Sequence, residues 1–296
     1  MRTTVRVSSK EAYKAYCEKR KLIETVPTHV GPQFNKMLCG GLKTQQFYVL
    51  LASTGVGKST TMMQFALDCY RAGKNAAYVT IDEQNEFEIL ERMACMWFEI
   101  SYYEYIENPE EHPEVEDFIM NKLMERITVY FTKNPFEEFV IERDKKKYRL
   151  TDFDQMIFDM QDRGIKFVFV DYLNAVAIDK DAYSKLTQIS SGLKDIAEEY
   201  NFMIFTAMQT NRDLKKAMKQ MDFDATLVDE SYMADSIGPA RKATVCLSLV
   251  KQKDSSYKTL NVFKNRLNGT LLGSVTVESD GLSMKLSEVY DPKLGF

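Results

Sequence analysis

The sequence has 296 residues, 45% of them hydrophobic and 28% charged, which is enough to bury the core of one large α/β domain or two small ones. A net charge of −4 gives no general attraction to nucleic acid, so any such binding needs a local basic patch. Two histidines and five cysteines without paired spacing argue against histidine-based metal sites and catalytic triads, and they favour reduced thiols in a cytosolic setting. No segment has the length and apolar character of a membrane span, so we expect no membrane partner.

The N-terminal stretch predicts a short helix that is separate from the main domain. Two serines that can cap a helix precede Lys10, and the apolar positions up to Arg20 form one narrow stripe among charges. Such a stripe needs a partner, either in its own domain or in a neighbouring subunit. Because Pro27 ends any helix here, we expect a linker-type helix in residues 1–25 and the main domain in residues 26–296.

A glycine-bearing loop lies between the apolar run Phe47–Leu51 and a helical segment that starts near Thr60. Strand, loop, lysine, hydroxyl and helix form the context that a phosphate-binding P-loop requires. We expect Lys58 to contact the β- and γ-phosphates and the Ser59 hydroxyl to bind Mg²⁺. The predicted nucleotide-binding residues are Ser53, Thr54, Gly55, Val56, Gly57, Lys58, Ser59 and Thr60.

Apolar runs alternate with helical segments after this loop, which predicts an α/β fold with a mostly parallel sheet covered by helices on both faces. The predicted buried strands are Ala76–Ile81, Ile127–Phe131, Ile165–Val170 and Phe202–Met208. The C-terminal quarter instead has strands at hairpin spacing, which predicts an antiparallel β extension. These strands are Ala243–Val250, Thr259–Lys264, Gly273–Glu278 and Leu282–Leu286. Residues 101–126 are acidic and rich in tyrosine, and we expect them to form a solvated helical insertion.

Carboxylates follow two of the predicted strands. Asp171 ends the run Ile165–Val170 and is the expected second Mg²⁺ residue, directly or through water; a loop-capping role is the alternative. Asp82 and Glu83 end the strand that follows the P-loop helix, so they should lie on the same sheet edge as the phosphates. One of them is a candidate for the base that activates water, although both could simply cap the next helix.

Gln209 ends another predicted strand, where its amide can bond a γ-phosphate and report its loss to the adjoining loop. That loop carries Lys215, Lys216 and Lys219 and suits a DNA-gripping element as well as it suits an ordinary solvated loop.

Lys264 and Arg266 flank a turn near the C-terminus. They suit either a plain surface or a lysine and arginine finger that reaches the nucleotide of a neighbour.

In this order, the features resemble the RecA-like motor domain of DnaB-type hexameric replicative helicases (superfamily 4), phage-type members included. Alanine at the first P-loop position is common in that family, which fits Ala52. The resemblance runs from about residue 26 to the C-terminus and rests on Pro27-Thr28, Gly40-Gly41-Leu42, Ala52–Ser59, Asp82-Glu83, Asp171-Tyr172, Gln209–Arg212 and Lys264-Asn265-Arg266.

The resemblance implies a RecA-like P-loop NTPase fold and an ATP-dependent DNA helicase that translocates 5′ to 3′ on single-stranded DNA in replication. It implies a homohexameric ring with ATP and Mg²⁺ at subunit interfaces, where Lys264 and Arg266 act on the neighbour's nucleotide and Gln209 senses the γ-phosphate. The family's catalytic glutamate corresponds to Asp82 by strand register, with Glu83 adjacent, so the identity of the base stays open.

By the same resemblance, residues 178–185 and 213–235 correspond to DNA-contacting loops, and residues 8–20 to the linker helix that docks on the adjacent subunit. The family's large N-terminal domain is not in this sequence, which implies a separate N-terminal-domain, primase or loader partner. The expected location is the cytoplasm of a bacterium or of a phage-infected cell.

Two other functions remain compatible with the residues. One is a RecA- or KaiC-like ATPase of recombination or regulation, although Lys264-Asn265-Arg266 on a late strand favours a helicase or KaiC-like finger over a RecA-type filament. The other is a ring component that binds nucleotide without helicase activity, which an aspartate at residue 82 keeps open.

Overall fold

The computed structural model describes the greater part of the chain, namely residues 9–81, 85–143, 146–173, 182–218, 223–234, 237–251, 256–267, 271–279 and 285–289. In chain order the helices are α1 (Lys10–Lys21), α2 (Pro32–Met37), α3 (Lys58–Arg71), α4 (Glu86–Phe98), α5 (Tyr102–Glu107), α6 (Pro113–Asn121), α7 (Asp152–Asp162), α8 (Ala182–Glu199), α9 (Arg212–Ala217) and α10 (Gly238–Lys242). The strands are β1 (Thr25–Val26), β2 (Leu42–Lys43), β3 (Gln46–Ala52), β4 (Ala76–Ile81), β5 (Ile127–Thr132), β6 (Glu138–Arg143), β7 (Lys146–Thr151), β8 (Phe167–Asp171), β9 (Met203–Gln209), β10 (Val245–Lys251), β11 (Tyr257–Asn265), β12 (Gly273–Ser279) and β13 (Leu286–Glu288).

One sheet of nine strands organises the described residues, in the order β13-β12-β11-β10-β3-β9-β8-β4-β5. The strands from β10 to β5 run parallel to their neighbours. Strands β11, β12 and β13 are each antiparallel to the strand before them. The predicted mostly parallel sheet with a C-terminal antiparallel extension is confirmed.

Strand β3 is buried on both faces because helices cover both sides of the sheet. Tyr48 and Leu50 face the core that includes α3, whereas Phe47 and Val49 face the second core, which includes α8 and α10. An uninterrupted apolar run is therefore typical of the centre of this sheet. The P-loop follows β3 directly and so is placed at the middle of one sheet edge.

The acidic insertion is only partly solvated, which corrects the prediction for residues 101–126. Tyr105, Val115 and Phe118 are buried in the core that α3 and α4 also line. The Phe118 ring stacks on Trp97 with centroids 5.2 Å apart. An apolar residue recurs at roughly every helical turn among the acidic residues. These apolar residues form a stripe that packs the insertion against α4.

The strands differ from the prediction in two places. Strands β6 and β7 form a hairpin that was not predicted. The last described strand is Leu286–Glu288, whereas residues 280–284 of the predicted final hairpin lie outside the described residues.

Helix α1 forms as predicted, and Ser9 caps it by accepting a hydrogen bond from the Ala12 N–H. None of its residues is buried, and Tyr13 and Tyr16 are 66% and 55% exposed. Its end is fixed to the domain, because the Gln45 amide donates to the Lys19 carbonyl. Within the described ranges, no helix combines the length and the apolar character needed to cross a membrane.

Candidate functional site

The predicted P-loop links β3 to α3 with the backbone that such a loop needs. Gly55 and Gly57 have φ angles of +78° and +114°, which L side chains rarely adopt. Helix α3 begins at Lys58, directly after Gly57, and the Thr61 N–H donates to the Gly57 carbonyl over 2.9 Å. The positive end of α3 therefore faces the loop, an arrangement that binds phosphate.

The Lys58 side chain turns back over this loop. Its Nζ lies 3.4 Å from the Ala52 carbonyl oxygen and 3.5 Å from that of Ser53. The same ammonium group lies 5.8 Å from the centre of the Tyr172 ring. Lys58 therefore lies against the loop in which a phosphate would bind, as the P-loop prediction expects.

Asp171 lies at the end of β8, beside the start of α3. Tyr78 on β4 connects the two elements: its hydroxyl donates to Asp171 Oδ2 over 2.7 Å and lies 3.5 Å from the Ser59 carbonyl oxygen. Asp171 and Tyr78 are both buried, and burial together with the Asp171 carboxylate raises the pKa of Tyr78 well above its usual value. Tyr78 was not among the predicted site residues, because a tyrosine within an apolar strand is indistinguishable from a core residue in sequence.

The donor set at this point suits Mg²⁺. Ser59 offers a hydroxyl and Asp171 a carboxylate, which are the hard oxygen ligands that this ion takes together with water and phosphate. Among the described residues no group of three or more histidines, cysteines and acids is arranged as a metal site. This finding does not exclude a P-loop metal site, because such a site needs only a hydroxyl, one acid and the oxygens of the substrate.

Gln209 is brought to the P-loop by sheet register, because it pairs with Ala52 between β9 and β3. The next residue, Thr210, shares a hydrogen bond with Ser53 over 2.7 Å between their hydroxyl groups. Sequence reasoning missed Thr210, although its place directly after the predicted sensor was a usable signal. These contacts join the end of β9 to the phosphate-binding loop.

The segment after β9 returns to the same point. The Ala234 N–H donates to the Gln209 carbonyl over 2.9 Å, and the Asn211 N–H donates to the Tyr232 carbonyl over 2.7 Å. Residues 213–235 are not simply a loop, since α9 opens them with Asn211 as its cap. The C-terminal part of the described segment is therefore hydrogen-bonded back to the chain at Gln209 and Asn211.

The predicted DNA-contacting lysines are only partly described. Lys216 is exposed in α9 and donates to Asp213 over 2.8 Å. The side chain of Lys215 and the whole of Lys219 lie outside the described residues, as do Asp82, Glu83 and residues 178–181. Their predicted roles stay predictions.

Lys264 and Arg266 lie far from the P-loop of their own chain. Lys264 pairs with Cys246, which is level with Val49 at the middle of β3, and Arg266 lies further toward the start of β3, whereas the P-loop follows its C-terminal end at Ala52. The Lys264 ammonium donates to the carbonyls of Ala240 and Arg241 at the end of α10, and burial lowers its pKa.

Arg266 is exposed at the same edge of the sheet, and its N–H donates to the Thr244 carbonyl over 2.9 Å. Its guanidinium group is therefore accessible from outside the chain.

Comparison with known proteins agrees with this geometry. Residues 26–234 match the family described as the DnaB-like helicase C-terminal domain. The DnaB-like replicative helicase of Enterobacteria phage T4 is 24% identical over 282 residues, which cover 86% of this chain and 56% of that protein. The chain thus spans little more than half the length of this curated relative.

Two solved structures share the fold. The ATPase domain of G40P superimposes with a TM-score of 0.72 at 15% identity, covering 97% of this chain and 100% of the other. A DnaB-like replicative helicase, solved in a study of its interactions with primase, gives a TM-score of 0.69 at 15% identity, covering 97% of this chain and 68% of the other. These likenesses confirm the predicted RecA-like fold. Since the family match covers well over half of the sequence, the chain belongs to the DnaB-like helicase C-terminal domain family.

Proposed function

We propose that this chain is the ATP-hydrolysing motor of a replicative DNA helicase, and that it moves 5′ to 3′ along single-stranded DNA as a hexameric ring. The observation that carries the proposal is that the predicted site residues lie at two opposite edges of the sheet. The P-loop, Asp171 and Gln209 meet at one edge, while Arg266 is exposed at the opposite edge. A complete site then requires two copies of the chain.

The roles at the first edge follow from chemistry. The N–H groups of the loop and the start of α3 bind the phosphates, and Lys58 balances the charge of the β- and γ-phosphates. Bound Mg²⁺ would be held by Ser59 and Asp171 and would neutralise charge on the leaving phosphates. Asp82 or Glu83 acts as the base that orients and deprotonates water.

The opposite edge supplies the neighbour's finger. Arg266 is level with Thr244 and hence with Phe47, so the sheet register separates it from the P-loop of its own chain by about 17 Å along β3 and by two strand spacings, about 10 Å, across the sheet. An arginine at this edge would meet the nucleotide of an adjacent copy and stabilise the charge that develops on the transferred phosphate. Lys264 on β11 would support this edge through its bonds to carbonyl groups at the end of α10.

Coupling to DNA would pass through the segment that follows Gln209. Because Ala234 and Tyr232 are hydrogen-bonded to Gln209 and Asn211, a change at the γ-phosphate would move the part of this segment near residues 231–234. Lys215, Lys216 and Lys219 would then grip the DNA backbone through phosphate contacts, which carry no sequence preference.

Helix α1 would hold the ring together. Its exposed tyrosines need a partner, and its basic residues, such as Lys14 and Lys19, face solvent. The acidic insertion of an adjacent copy offers complementary charge. A primase or loader is a further expected partner, by analogy with the helicase that was studied for its interactions with primase.

The proposal is tested by steady-state ATP hydrolysis at several protein concentrations, with and without a single-stranded oligonucleotide. We expect turnover per chain to rise with concentration and with DNA, because the site forms between copies. A turnover rate that is the same with and without DNA would favour a RecA- or KaiC-like regulatory ATPase. Nucleotide binding without turnover would favour a ring component that lacks helicase activity.

A further inference from the structure

Strand β11 carries a lysine in a place where its neighbours predict an apolar residue. Side chains on one face of a strand alternate, and on β11 the row that faces α3 is Val262, Leu260 and Lys258. Val262 and Leu260 are fully buried in the α3 core. Lys258 is the half-buried end of this row.

Sheet register brings that end of the row to the P-loop. Leu249 on β10 pairs both with Ala52, the last residue of β3, and with Leu260. Lys258 lies two residues further along, level with the start of the loop. The Lys258 Nζ is only 3.4 Å from the position that a Cβ atom on Gly57 would occupy.

The charge at this position is unbalanced among the described residues. Lys258 lies directly opposite Lys251 on β10, and like charges in directly opposed positions repel each other. Burial, together with the charge of Lys251, lowers the pKa of Lys258. No carboxylate forms an ion pair with Lys258 in the part of the chain that the structure describes. An anion at the P-loop would supply the missing counter-charge.

We infer that Lys258 is a second cation of the nucleotide site, which contacts the phosphate chain of a nucleoside di- or triphosphate from within the same chain. It would act together with Lys58, but it is carried on strand β11 rather than on helix α3. The inference rests on the proposed function, because it deepens the same site.

Equilibrium binding of ADP and of ATP to the full chain, in the presence of Mg²⁺, tests this assignment. We expect Lys258→Met to weaken both affinities about tenfold, the loss expected for one charge-assisted contact. Lys258→Arg, which keeps the cation, should stay within about threefold of the parent chain. The matched control is Lys251→Met on the same hairpin, which removes the same charge and a source of repulsion, so its affinity should be unchanged or higher.

A thermal unfolding series separates a contact from a structural effect. Without nucleotide, Lys258→Met should melt no lower than the parent, since it removes a half-buried charge that has no ion-pair partner among the described residues. With saturating ADP, its melting temperature should rise less than that of the parent. Equal affinities for parent and Lys258→Met, or an equal loss in Lys251→Met, would overturn the inference. If the parent chain binds no nucleotide at all, the proposed function fails first and the inference with it.

Discussion

Replacing Tyr78 with phenylalanine removes only its hydroxyl group. That hydroxyl donates to Asp171 Oδ2 over 2.7 Å in a buried environment. A hydrogen bond to a charged group contributes about 1.5–3 kcal/mol, and a residue that positions a metal ligand is worth about tenfold to hundredfold in metal affinity. We therefore expect Tyr78→Phe to raise the Mg²⁺ concentration needed for tight ATP binding at least about tenfold.

The assay is equilibrium binding of a fluorescent ATP analogue at a series of Mg²⁺ concentrations, paired with thermal unfolding. Tyr130→Phe is the matched control, because the Tyr130 hydroxyl also donates to a carboxylate, that of Asp159, over 2.6 Å. Tyr130 lies on β5 at the edge of the sheet, away from the P-loop, and the Asp159 side chain is 42% exposed. We expect this control to leave the Mg²⁺ dependence unchanged.

The two readouts distinguish positioning from simple stability. Loss of the buried bond should also lower the free energy of unfolding of Tyr78→Phe by about 1.5–3 kcal/mol. If that loss appears while the Mg²⁺ dependence matches the parent chain, Tyr78 supports the fold alone and the reasoning is refuted. A shift of the Mg²⁺ dependence in Tyr130→Phe that is as large as the one in Tyr78→Phe would refute it equally.

Two other substitutions test separate parts of the molecule. Arg266→Ala should keep ATP affinity but lower hydrolysis about a thousandfold or more, and mixing it with Lys58→Ala chains should restore part of the activity; no recovery on mixing would contradict a finger that acts between copies. Partial burial alone would raise the pKa of Glu24, but bonds from Lys166 and Lys74 outweigh it, so the pKa is lowered. These ion pairs therefore stabilise the fold at pH values above the pKa that Glu24 has in the unfolded chain. The stabilisation is lost as the pH falls through the lower pKa that Glu24 has in the folded chain. Glu24→Gln should cost about 1 kcal/mol of unfolding free energy at pH 7 and little at pH values below the folded pKa, as measured by denaturant unfolding.

The sequence was sufficient to predict the elements that carry a periodic or local signal. The run Phe47–Leu51 and the glycines of the P-loop are recognised from neighbouring residues alone, and the structure has a strand and the loop there. The positions of Asp171 and Gln209 at strand ends were predictable for the same reason. Local chemistry determined these elements.

The features that sequence reasoning missed depend on contacts between distant segments. Tyr78 and Asp171 are 93 residues apart, and Ser53 and Thr210 are 157 residues apart. Neither a tyrosine in a strand nor a threonine after one is unusual on its own. Lys258 was missed because it directly precedes the predicted strand Thr259–Lys264, where a lysine is typical of a solvent-exposed turn, whereas β11 begins at Tyr257.

The direction of β11 separates Arg266 from the P-loop of its own chain. Had β11 run parallel to β3, its C-terminal end would have lain beside the P-loop, and Arg266 would have been within reach of the same nucleotide. Because β11 is antiparallel to β10, the start of β11 approaches the P-loop and its end lies at the opposite edge. In the proposed assembly, the hairpin would present Lys258 to the chain's own nucleotide and Arg266 to that of a neighbour. Removal of the two cations should therefore have different effects. Lys258→Met should weaken nucleotide binding in an isolated chain, whereas Arg266→Ala should affect hydrolysis only in assembled copies.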